Sequence, residues 1–159
     1  MSKVSWGKPK IMIKDLDAEN GKWTPMPTPV EDSTELTTNA GDAMEAKIEG
    51  GENEDKQYKD SNYELDMSIR KLKGRTAPIE THNGVTQHHF AVALQPEDPT
   101  CQGMLIDTAS VSCEDTYTAA EGAIWKYKFE PLTPEKGDLI KWGVITFGED
   151  NTPTCTPVA

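Results

Sequence analysis

The chain has 159 residues, and its 16 basic against 27 acidic side chains give a formal charge of -11. That length suits one compact domain and is short for two, while the acidity works against binding to nucleic acid or an anionic membrane surface. Three cysteines, Cys101, Cys113 and Cys155, lack C-x-x-C spacing and are expected to be free thiols.

Taken in chain order, Lys10-Ile11-Met12-Ile13-Lys14 predicts a first strand, and the turn chemistry of Asp17 to Gly21 predicts a hairpin to Lys22-Trp23-Thr24. The three apolar residues Ile11 to Ile13 fall short of a signal-peptide core, and no run approaches the ~18 apolar residues of a membrane-spanning helix. Pro25, Pro27 and Pro29 cannot donate to a central ladder, so the segment from Pro25 to Gly41 is expected to be an extended surface loop with at most a short strand near Glu35 to Thr37. Met44, Ala46 and Ile48 alternate with Glu45, Lys47 and Glu49, which predicts a strand over Ala43 to Glu49. Gly50-Gly51 ends it, Glu52 to Lys56 is expected as an exposed turn, and a long strand follows from Gln57 to Lys73. In that strand Tyr63, Leu65, Met67 and Ile69 point one way and Glu64, Asp66, Ser68 and Arg70 the other, because successive side chains of an extended chain face opposite sides.

Thr76 to Thr81 or Thr118 to Gly122 are the places for a short helix. His88 to Gln95, Met104 to Thr116, Ala123 to Leu132 and Leu139 to Phe147 predict four further strands, with Trp125, Tyr127 and Phe129 alternating against Lys126, Lys128 and Glu130. Cys113 falls in register with Ala109 and Val111 as a small buried hydrophobe. These elements predict a mainly β protein, an antiparallel sandwich or barrel, over residues 1–147, with residues 148–159 as a flexible tail.

No motif carries chemistry. There is no G-x-S-x-G elbow and no glycine-rich phosphate loop before a helix, and Gly50-Gly51 is ringed by Glu49, Glu52 and Glu54, which repel phosphate. His88 and His89 face opposite sides of a strand and cannot share one ion without a bulge. The expectation is a non-enzyme without cofactor or metal. Trp6, Trp23, Trp125 and Trp142 offer sugar-stacking surfaces if they are exposed, which keeps a monomeric β-sandwich that binds carbohydrate or another surface ligand as the alternative.

The order of the pieces resembles a known family. A short Trp-Gly strand, the P-T-P-V-E-D-S-T-E-L loop, the A-K-I-E-G-G-E turn, the Y-E-L-D-M-S-I strand and the late E-D-T-Y…W-K-Y-K-F-E block, together roughly Val4 to Val144, are similar to the major tail-tube proteins of long-tailed bacteriophages and prophages, with the Bacteroidetes versions nearest. The resemblance implies the β-sandwich or barrel shared with the tubes of type VI secretion, made in the bacterial host cytoplasm and incorporated into the virion tail. It implies stacked, hexameric rings that form a DNA conduit. The partners would be other copies of the chain and the tape-measure, initiator or baseplate, and terminator proteins, with DNA passing without specific binding. In that setting Glu45, Glu49, Glu64 and Asp66 are the candidate lumen-facing acids, opposite a core face of Met44, Ile48, Leu65 and Met67, and the strand from Gln57 to Lys73 is the edge a ring would use. The Pro25 to Gly41 loop and the Glu52 to Lys56 turn are candidates for ring-to-ring contacts.

Overall fold

The computed structural model describes residues 7–19, 21–30, 33–58, 60–132 and 138–157, apart from the side chains of Asn53, Glu54 and Tyr58. Its strands are β1 (Lys10–Asp15), β2 (Thr24–Pro25), β3 (Glu35–Asn39), β4 (Ala43–Lys47), β5 (Asn53–Tyr58), β6 (Asn62–Arg70), β7 (Val85–Gln95), β8 (Gln102–Thr118), β9 (Gly122–Pro131), β10 (Lys141–Phe147) and β11 (Pro153–Thr156). Every pairing between them is antiparallel. The protein is therefore all-β, and no helix occurs among the described residues.

The main sheet runs in the order β2-β1-β7-β8-β9-β6-β3. Its apolar face is assembled by alternation: Leu65, Met67 and Ile69 from β6, Tyr127 and Phe129 from β9, and Val111 and Cys113 from β8 all enter one core. Full burial of one large aliphatic or aromatic side chain stabilises by roughly 1.5–3 kcal/mol relative to exposure, so this stripe is the main source of stability. Cys113 and Cys155 are free thiols, and burial pushes the Cys113 thiol up, as befits a small core hydrophobe.

Strand β8 is the spine. Residues 102–105 pair with β10 and residues 109–118 with β9, and the irregularity between them, opposite Phe90 to Val92, is a bulge at Asp107 and Thr108. The bulge shifts the inward phase from Met104 and Ile106 to Ala109, Val111 and Cys113. The Lys141 ammonium sits 2.7 Å from Asp107 at this junction. At Gly103 the neighbouring strand comes so close that an added Cβ would run into the Leu94 carbonyl oxygen.

The proline segment does more than loop over the surface. At one end the Met26 amide donates to the Ile11 carbonyl beside the β2 pairing to β1. At the other, the Val30 amide donates to the Ser68 carbonyl and the Ser68 amide donates to Ser33 Oγ, continuing the β3 pairing to β6. One stretch of chain thus spans the two edges of the coiled sheet, and Met26 is buried in the core as it crosses. Proline lacks a donor, so the prolines fit a connection that bonds only intermittently.

Other expectations are corrected. The long strand is two strands: β5 ends at Tyr58 and β6 begins at Asn62. The hairpin formed by β4 and β5 is a separate two-stranded sheet. Its turn comes earlier than expected, at Gly50 and Gly51 with φ of 95° and 84°, so that the polar residues from Asn53 onward form strand through pairing with β4 rather than through burial. Met44 and Ile48 are 49% and 46% exposed and do not join the core. The segment 76–81 is irregular, with a bend at Pro78 and Ile79, and Asn83-Gly84, both at positive φ, then forms a tight turn; residues 119–121 are the turn between β8 and β9. After Phe147 the chain comes back as β11 on β10, where a loose tail was expected.

Candidate functional site

Two surfaces stand out. The first is the outer face of β6, β9 and β8. Register places Asp66 beside Lys128 and Ser112, and Ser68 beside Lys126 and Glu114, with Glu64, Glu130 and Ser110 in the next row. Strand β3 adds Glu35 next to Asp66. A shallow pocket of about 290 Å³ opens among Asp66, Ser68, Ser112, Glu114, Lys126 and Lys128. Burial raises the Asp66 carboxyl above the usual range; Lys128 opposes that shift, and Glu64 and Glu35 add to it. Lys128 Nζ lies 3.9 Å from Glu64. This is a polyampholyte face on which carboxylates outnumber cations, and it has no arrangement of nucleophile and base.

The second surface is the arm formed by β4 and β5. Among the described residues the strands pack chiefly on each other. Glu45 bridges Lys56 at 3.5 Å and Lys47 at 3.6 Å, Ala46 and Lys47 flank a register shift, and Glu49 stands in the exposed turn. The sequence-predicted acids are thus divided. Glu64 and Asp66 share the sheet face, whereas Glu45 and Glu49 belong to the arm, because the strand that was to unite them breaks after Tyr58. Lys126 and Lys128 were missed as members of the face, although the alternation of W-K-Y-K-F-E already opposed them to the core.

The histidines bind the end of β1 to β7. His88 Nδ1 lies 2.7 Å from Asp15 Oδ2, and the His89 amide donates to Asp17 Oδ2 at 2.7 Å. No three His, Cys, Asp or Glu side chains among the described residues are grouped to hold a metal ion. The described tryptophans lie on different elements, Trp23 part-buried just before β2. Trp142 is half-exposed on β10, Trp125 packs against the core under the Lys71 ammonium, and Trp6 lies outside the described residues. No helix among the described residues is long and apolar enough to cross a membrane. Compared with known proteins, the chain matches no family model and no curated sequence.

Proposed function

We propose that this chain is a non-catalytic structural subunit that assembles with copies of itself into the stacked rings of a phage or prophage tail tube, a conduit through which DNA passes. The observation that carries this reading is the β4–β5 arm. A two-stranded hairpin is marginal in water without a surface to pack on. This one is joined to no other strand by substantial packing among the described residues and exposes Met44 and Ile48, so its ordered form is best accounted for by a neighbour that covers it.

Charge supports the same reading. A conduit must attract phosphate weakly, and a net charge of -11 works against tight binding of DNA. On this proposal the Glu64 and Asp66 face is turned to the channel, with Lys126 and Lys128 interspersed to moderate carboxylate repulsion. Other tail proteins, namely tape measure, initiator or baseplate, and terminator, cap and fill the tube. β6 is not the edge that joins subunits, since β3 and β9 flank it on both sides.

The test is negative-stain electron microscopy of concentrated protein, which should show rings or tubes of uniform bore. A persistent monomer that binds glycans would transfer the function to the carbohydrate-binding alternative.

A further inference from the structure

The chain concentrates positive charge in one place. Residues 70–75 read Arg-Lys-Leu-Lys-Gly-Arg, four cations in six residues of a protein that is strongly acidic elsewhere. Two of the four are already engaged. Lys71 lies 2.9 Å from Asp115 and over the Trp125 ring, and Arg70 donates to the Glu121 carbonyl. Arg75 commits one guanidinium nitrogen to the Arg70 carbonyl, and Lys73 pairs with no carboxylate among the described residues.

These two cations rim a groove of about 510 Å³ between β2 and the loop after β6. Its walls mix apolar Ile13, Pro25, Pro27, Pro78 and Leu72, the last 51% exposed, with the hydroxyls of Thr24 and Thr76. No acidic side chain among the described residues lines it. Both walls are fixed before anything binds. β2 is held by its pairing to β1 and the Met26–Ile11 bond, and the loop is tied down by Ile79, whose carbonyl accepts from the buried Tyr127 hydroxyl at 3.0 Å. A preformed groove spares a ligand the cost of ordering it.

The arm is the complement of this groove. Residues 43–58 carry five carboxylates against two lysines and display Met44 and Ile48. We propose that the groove rimmed by Lys73 and Arg75 receives the acidic β4–β5 arm of a second copy of this chain. The inference rests on the self-assembly reading and adds the acceptor site to it. Apolar flanks of the arm meet Leu72 and the prolyl walls, while Glu49 and Glu52 in the turn meet Lys73 and Arg75. Because donor and acceptor are different surfaces, the contact is head-to-tail and propagates from copy to copy.

The test is reciprocal charge exchange in the full chain, read by sedimentation velocity and electron microscopy. K73E/R75E and E49K/E52K alter side chains outside the core, R75E giving up the bond to the Arg70 carbonyl; each variant should still melt cooperatively, yet each alone should weaken association roughly tenfold or more. Mixed in equal amounts, they should recover it, since each arm then faces a groove of opposite sign. Carbodiimide cross-linking of light and isotope-labelled wild type should also join Glu49 or Glu52 of one copy to Lys73 of another.

A folded K73E/R75E variant that assembles like wild type overturns the groove and leaves tube formation standing. Failure of the mixture to recover association does the same. If that variant loses affinity for inorganic phosphate or a DNA oligomer while assembly is unchanged, the groove is an anion site and the proposal is wrong. A wild type that neither assembles nor cross-links between copies removes the assembly reading itself.

Discussion

Tyr127 ties the main sheet to the loop that carries Ile79. Its hydroxyl donates to the Ile79 carbonyl and accepts from the Ile79 amide at 3.4 Å, and burial pushes its pKa up to about 12, with the Ile79 bond opposing that shift. Tyr127→Phe keeps the ring but strands two buried backbone groups, and should cost roughly 1–3 kcal/mol, measured as a lower urea midpoint with unchanged slope. His88 acts at the surface. The hydrogen bond to Asp15 and the Asp15 charge raise its pKa above 6.5. A raised histidine pKa means that the folded protein holds the proton more tightly, so the stabilisation is complete below the unfolded value and is lost as pH rises through the folded one. The gap in melting temperature between wild type and His88→Gln should therefore be larger at about pH 5.5 than at about pH 8.5, and smaller in high salt because the pair is exposed.

Among the elements, the arm and the closing segment respond differently to change. Replacing Met44 and Ile48 by serine removes no core contact, so folding stability should stay within about 0.5 kcal/mol while association detected by sedimentation falls. The sequence made the main strands legible wherever one face is core. Leu65-x-Met67-x-Ile69 and Trp125-x-Tyr127-x-Phe129 have a period of two because water lies on one side and protein on the other. It misled at the arm. Met44, Ala46 and Ile48 have the same period, but Met44 and Ile48 are exposed and join no core among the described residues, and local pattern carries no information about what an apolar face meets. The turn after Thr81 was legible in principle, since Asn-Gly is the dipeptide that tolerates two positive φ angles. The run of four cations from Arg70 to Arg75 was equally visible, yet its importance depends on prolines some 45 residues earlier in the chain, which only folding brings to the same groove.

At the scale of the whole molecule, charge sets what the surface rejects. The wild type should not retain a labelled duplex in fluorescence anisotropy even at low salt, whereas tubes of the E64K/D66K variant should slow or hold DNA if that face lines the channel. The mixed sign of the sheet face was hidden in the sequence because Lys126 and Lys128 lie some 60 residues from the acids they neighbour, and register alone joins them.

The stretch from Thr24 to Asn39 is hydrogen-bonded to β1 at one end and to β6 at the other. The main sheet ends in β2 on one side and β3 on the other, so this one stretch covers both of its edges. A single protease cut within that stretch would uncover the rims of β1 and β6 together. Unpaired rims of this kind recruit other strands indiscriminately. Nicked protein is therefore expected to precipitate as disordered β aggregate, measured as turbidity after limited proteolysis, while the intact chain stays clear.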